Sequence, residues 1–141
     1  MIVVDTNVVS ELMKTSPSEI VKEWFLQQDS REMRITSITV AEILYGIERL
    51  SSGKRREELR DVALGIFGGF AEQILSFDAV AATHYSKIVT SREQQGNPIS
   101  GFDAQIAAIC RCHESQLATR NEKDFVGVGV TIINPWTNQR G

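Results

Sequence analysis

The sequence predicts an α/β domain: a central, mostly parallel sheet flanked by helices on both faces. Three observations lead there. Short apolar runs alternate with helical stripes along the chain. Strands separated by helices need crossover connections and therefore pair in parallel. No internal repeat, low-complexity tract or linker interrupts the alternation, so the 141 residues form a single domain spanning 1–141.

Taken in order, Ile2-Val3-Val4 reads as a buried strand. A helix is expected over residues 17–28, because Ser16 can cap it, Pro17 suits the first helical position and Glu19 completes a capping box. Residues 34–38 form a second strand, followed by a helix whose apolar stripe is Ile43, Leu44, Ile47 and Leu50. Leu59, Val62, Ala63, Ile66, Phe67 and Phe70 give the next helical stripe, weakened at its end by Gly65, Gly68 and Gly69. A third strand covers 74–77. Asp78 then caps a helix carrying Ala81, His84, Tyr85 and Ile88, which stops at Gly96-Asn97-Pro98. A helix over 102–112 leads to strands over 116–119 and 130–133, the last ended by Asn134-Pro135.

Composition excludes several classes of function. An apolar content of 42% with 23% charged residues is ordinary for a globular chain, which argues against disorder and coiled coil. The net charge of −3, from 18 acids and 15 bases, argues against stable non-specific binding to duplex nucleic acid. It leaves room for an enzyme that draws cations into an acidic pocket. Cys110 and Cys112 are too few and too close for a disulfide framework, and on a helix they face different directions. The first apolar run is short, lacks a basic flank and is cut by Asp5, so neither a secretory signal nor a membrane span is expected. The expectation is a soluble, cytoplasmic protein.

In parallel sheets the site lies beyond the carboxyl ends of the strands. Four such junctions carry polar residues: Asp5 after the first strand, Glu42 in the first turn of the next helix, Asp103 opening the helix at Ser100-Gly101-Phe102, and Asn121 with Asp124 after the strand ending at Thr119. Each has an ordinary structural explanation. Thr39-Val40-Ala41-Glu42 is a capping box, Ser100 with Asp103 is a looser one, and acids in first helical turns gain from the helix dipole. Asp124 alone reads as a solvated loop acid. Asp5 is harder to explain away, since a carboxylate ending an apolar strand needs a partner or a metal.

The constellation outweighs its members. Several carboxylates at one rim stay ionised together only if a cation neutralises them. Hard oxygen ligands select Mg²⁺ or Mn²⁺ over zinc, and such ions bridge phosphate oxygens and stabilise a leaving oxygen. The implied chemistry is phosphodiester hydrolysis.

These residues carry a resemblance. Val3-Val4-Asp5-Thr6-Asn7-Val8-Val9-Ser10-Glu11-Leu12 resembles the opening of the PIN-domain ribonucleases, especially the VapC/FitB-like toxins of bacterial toxin–antitoxin pairs. Ala41-Glu42-Ile43-Leu44-Tyr45-Gly46-Ile47 is similar to their second motif. Pro98, Asp103 and Ile106-Ala107-Ala108 are similar to the third, and Thr119-Arg120-Asn121 through Asp124-Phe125 to the fourth. The motifs come in order and span residues 2–136. The resemblance implies a PIN-like fold and a metal-dependent endoribonuclease using Mg²⁺ or Mn²⁺, with Asp5, Glu42 and Asp103 as metal-binding acids. Asp124 joins them as a catalytic acid, and Thr6, Thr119 and Asn121 line the pocket. Many relatives carry an acid where this chain has Asn121, so the fourth position stays open between Asn121 and Asp124, and with it the choice of one metal or two.

The resemblance also implies partners: an RNA substrate, a cognate antitoxin protein, a homodimer and a toxin–antitoxin hetero-oligomer. Candidate antitoxin surfaces are the helix over 17–28, bearing Trp24 and Phe25, and the glycine-interrupted helix ending near Phe70. The helices around His84 and Cys110 are candidates for the homodimer. Among other residues, His84 sits in an apolar stripe as a core or boundary histidine, and Lys54-Arg55-Arg56 with Arg60 reads as a solvated helix start, RNA contact being the alternative. Two rival functions remain: a non-enzymatic Mg²⁺-binding phospho-acceptor switch, and an inactive PIN-like binding module. The switch wants adjacent acids after the first strand and a lysine ending a late one, where this chain has Thr6-Asn7 and Thr119-Arg120-Asn121.

Overall fold

The computed structural model describes residues 1–137. Its strands are β1 (Ile2–Val4), β2 (Met33–Thr36), β3 (Ile74–Leu75), β4 (Gln116–Ala118) and β5 (Ile132–Ile133). They form one sheet in the order β3-β2-β1-β4-β5, and every pairing is parallel. Six helices accompany them: α1 (Thr6–Leu12), α2 (Glu19–Gln27), α3 (Ser37–Glu48), α4 (Lys54–Gly69), α5 (Ala79–Gln94) and α6 (Gly101–Cys112).

Alternation along β1 and β4 divides the core in two, because successive side chains leave a strand on opposite faces. Val4 and Ala118 pack with Val8 and Val9 of α1, Trp24 of α2, Ile43 and Ile47 of α3 and Phe67 of α4. Val3 and Leu117 pack with Ile88 of α5 and with Ile106, Ala107 and Cys110 of α6. Trp24 is therefore a core residue, and Trp136 lies half-buried against the same cluster. Both faces of the sheet are covered, which is why β1, β3 and β5 are continuous apolar runs.

The chain runs from β1 outward through β2 and β3, then crosses back to place β4 on the opposite side of β1. The strand order thus reverses between β1 and β4, and a crevice opens beyond their carboxyl ends. Since all strands are parallel, the residues following β1, β2 and β4 share that one edge.

Several sequence expectations shift. The first strand leads directly into α1, a helix the apolar pattern did not announce because its seven residues are too short a window for a helical period. Helix α2 begins at Glu19 rather than Pro17, with Ser18 rather than Ser16 accepting the Val21 N–H. The second strand ends at Thr36, two residues before Ile38. The third and last strands are likewise shorter than 74–77 and 130–133. Helix α3 is capped by Thr36, whose hydroxyl accepts the Thr39 N–H at 3.1 Å. The capping-box explanation of Glu42 therefore fails: Glu42 lies one turn beyond the first, six residues past the cap. Asp78 does cap α5, accepting the Ala81 N–H at 2.9 Å, and that helix ends before Gly96, which takes a positive φ of 72°. Ser100 caps α6, accepting the Asp103 N–H at 3.2 Å.

Candidate functional site

Asp5 stands where β1 ends and α1 begins. Its N–H continues the ladder to the Ala118 carbonyl at 2.9 Å, and its extended backbone lets the side chain cap α1. Only 4% of the residue is exposed. Oδ1 accepts the Thr6 N–H at 2.8 Å, while Oδ2 accepts the Thr119 hydroxyl at 2.7 Å and the Asn7 amide at 3.3 Å. Burial nonetheless pushes the Asp5 carboxyl up to about 6, and the negative charges of Asp103 and Glu42 add to the effect.

Glu42 arrives from α3. The Thr6 hydroxyl donates to its Oε1 at 2.8 Å and lies 3.0 Å from the Thr39 hydroxyl, which in turn is 3.4 Å from that of Thr36. Three hydroxyls thus line up behind one carboxylate and fix its position from the end of β2.

Asp103 occupies the first turn of α6. Partial burial raises its carboxyl above the usual range, Asp124 pushes the same way, and Ser100 and Arg92 oppose them. Asp124 is exposed on the short turn Glu122–Phe125. That turn is held from beneath by Arg92, a residue only 2% exposed. Its guanidinium donates to the carbonyls of Asn97, Asp124 and Val126 at 2.6, 2.9 and 3.1 Å. Asn121 is exposed, and it is its backbone N–H that bonds the Thr119 hydroxyl, at 3.1 Å. The Asn7 amide reaches the same oxygen at 3.1 Å, so the Thr119 hydroxyl donates once and accepts twice, its full capacity.

The structure therefore brings Glu42 and Asp103 within electrostatic reach of Asp5, with Thr6 and Thr119 bonded to two of the three acids. Asp124 acts on Asp103 rather than on Asp5. Asn7, Thr39 and Arg92 were missed. Asn7 lay inside the first motif, where its amide had no visible target, and nothing in the sequence pattern marks Arg92, in the last turn of α5. His84 is half-buried, His113 is exposed, and neither takes part in the hydrogen bonds of the acids. Burial drives the Cys110 thiol far above its usual range, which leaves it inert.

The donor set fits a hard divalent cation. Among the described residues no lysine or arginine forms an ion pair with Asp5, Glu42, Asp103 or Asp124. Arg92 offsets part of the charge at Asp103 from a distance, without pairing with it. Among the described residues no three acid, imidazole or thiol side chains stand close enough together to hold a metal ion between them. Mg²⁺ asks for less, since it binds through one or two carboxylates and keeps several waters.

Comparison with known proteins agrees with this geometry. The PIN domain family matches residues 2–130. The VapC ribonuclease Y4jK of Sinorhizobium fredii is 36% identical over 137 residues, which cover 96% of this chain and 98% of that protein. The Toxin FitB of Neisseria gonorrhoeae is 34% identical over 137 residues, covering 96% and 99%. The crystal structure of FitAcB from Neisseria gonorrhoeae superposes with a TM-score of 0.91 at 34% identity, covering 97% of this chain and 99% of that one. With four motifs in order, a parallel five-stranded sheet and an acidic rim at its switch point, this chain belongs to the PIN-domain family.

Proposed function

We propose that the chain is a metal-dependent endoribonuclease and the toxin of a toxin–antitoxin pair, acting as a single cytoplasmic domain. The observation that carries the reading is the group of Asp5, Glu42 and Asp103 around the β1–β4 crevice, with Asp5 raised to about 6 and, among the described residues, no basic side chain in an ion pair with any of them. The names of the relatives, a VapC ribonuclease and a toxin, support the same activity and role. Among the described residues no helix is long and apolar enough to cross a membrane.

Asp5, Glu42 and Asp103 would hold Mg²⁺ or Mn²⁺, and Asp124 or Asn121 would complete the pocket. When bound, the ion supplies positive charge to the phosphate oxygens and to the leaving oxygen. The chain's own work is positional. Thr119, Asn7 and the Thr6 N–H fix both oxygens of Asp5, and Thr6 with Thr39 fixes Glu42. Arg92 sets the turn carrying Asp124 against the start of α6.

The geometry disfavours the phospho-acceptor switch. A buried Asp5 whose oxygens accept three hydrogen bonds is a poor acceptor for phosphoryl transfer. An inactive binding module would bind Mn²⁺ weakly. The deciding experiment is incubation with defined RNAs, with Mg²⁺ and with EDTA, followed by mapping of the ends. Cleavage at fixed positions that EDTA abolishes supports the reading, and intact RNA under both conditions contradicts it.

A further inference from the structure

A cleft of about 460 Å³ adjoins the acidic rim, sharing Thr6 and Glu42 with it and running outward between α1, α3 and the start of α4. Its lining includes apolar Ile47 and Leu59 and two cations, Lys14, which is paired with Glu11, and Arg55. This volume falls within the range of small-ligand pockets.

Two observations single out this cleft. The first is Gly46, one turn beyond Glu42 in the interior of α3, where glycine is destabilising. Nothing lies within 4 Å of the position a Cβ would take there, so no neighbour in the protein demands glycine. What the missing side chain leaves open is the cleft itself. The second is the pairing of the basic cluster. Arg56 and Arg60 both bond Glu48, and Lys54 lies 3.8 Å from Glu58. Arg55 is exposed, forms no ion pair among the described residues, and is the cluster member that lines the cleft. Arg56 and Arg60 are thus tied to Glu48, Lys54 stands at a surface pair, and Arg55 faces a channel leading to the acids.

We propose that this cleft is a substrate subsite, holding the RNA nucleotide next to the scissile phosphate. Its sugar and base lie on the apolar lining over Gly46, and Arg55 receives the adjoining phosphate. The inference deepens the ribonuclease reading and rests on it. A single-stranded substrate fits because its unstacked base offers an apolar face and its backbone places a charge one residue away. Arg55 answers that charge at the one end of the cleft where the rim's negative acids do not.

The test is steady-state cleavage of a defined single-stranded RNA by the wild type, Arg55→Ala, Gly46→Leu and, as control, Lys54→Ala, across a range of salt concentrations. Arg55→Ala is expected to raise KM about tenfold, as for loss of one charge-assisted hydrogen bond. It should also flatten the dependence of log KM on log salt by about 0.7. Gly46→Leu is expected to raise KM comparably while its melting temperature stays at or above wild type. Lys54→Ala should match wild type. A substrate with one methylphosphonate in place of the phosphate at Arg55 should lose affinity for wild type but not for Arg55→Ala. Wild-type KM and salt slope for both cleft variants would overturn the inference while leaving the ribonuclease standing. So would variants that cut RNA normally but lose a co-purifying protein partner, which would make the cleft a protein surface. If the wild type cuts no RNA at all, the ribonuclease reading itself fails and the subsite falls with it.

Discussion

Thr119 donates its hydroxyl proton to Asp5 Oδ2 at 2.7 Å across 114 positions of sequence, joining the ends of the two strands between which the sheet order reverses. The contact is buried and its hydroxyl is saturated, so the crevice is built around a fixed carboxylate rather than a mobile one. The bond stabilises the ionised form of Asp5 and holds its carboxyl lower than burial alone would leave it.

Thr119→Val keeps the side-chain shape and removes that bond. The Asp5 carboxyl then moves above about 6, and the acid limb of the pH–rate profile for RNA cleavage moves to higher pH. The half-buried Asn7 amide and the N–H of exposed Asn121 also lose this acceptor, and about 0.5–1.5 kcal/mol of stability goes with it. A pH–rate profile and a urea titration measure the two effects separately.

Asp5 makes the metal-free protein less stable as pH rises. Its folded carboxyl sits at about 6 against an ordinary 3.8, so between those values the folded state holds a proton that the unfolded state has released. Stability therefore falls from pH 4 to pH 6 and stays lowered above it, by about 3 kcal/mol for a shift of this size. Asp5→Asn removes the effect. In EDTA at pH 7.5 the variant should melt above wild type, and near pH 4 the two should converge. Added Mg²⁺ should raise the wild-type melting temperature and narrow the gap.

Glu42→Gln separates helix formation from site chemistry. Thr36, not Thr39, caps α3, so Glu42 has no part in starting the helix. The variant should melt within about 0.5 kcal/mol of wild type, as exposed or half-buried polar changes do, and should lose Mg²⁺-dependent cleavage. Thr36→Ala should do the reverse to the helix, costing about 1 kcal/mol through the lost cap. Thermal melts and cleavage assays of both variants check the pair.

Arg92→Met leaves the carbonyls of Asn97, Asp124 and Val126 without their shared donor. About 2–4 kcal/mol of stability should be lost. Because the guanidinium also lowers the Asp103 carboxyl, the variant's Asp103 should titrate higher than wild type. Denaturation and carboxyl chemical shifts against pH report on each.

Much of the fold was legible because its signals are local. Asp78 and Ser100 cap α5 and α6 where oxygen-bearing residues precede apolar stripes, and Gly96 closes α5 through a positive φ. Helix α1 was hidden because seven residues, barely two turns, are too few to show a helical period. The acids of the site were legible as a set from their places at strand ends. Their supports were not: Asn7, Thr39 and Arg92 act through bonds to residues distant in sequence, or to backbone carbonyls that no side-chain pattern announces. The same limit hid the cap of α3, where a threonine on either side of Ser37 satisfies the sequence rule and only the strand end decides between them.

End-mapped cleavage of a defined RNA by wild type, Asp5→Asn and Asp103→Asn, each folded by circular dichroism and each assayed with Mg²⁺ and with EDTA, tests the central claim most directly. The expected result is cutting at fixed positions by the wild type in Mg²⁺ only, with both variants inactive and at least as stable as wild type. Cleavage by either variant at the wild-type rate, or wild-type cleavage that persists in EDTA, would contradict it.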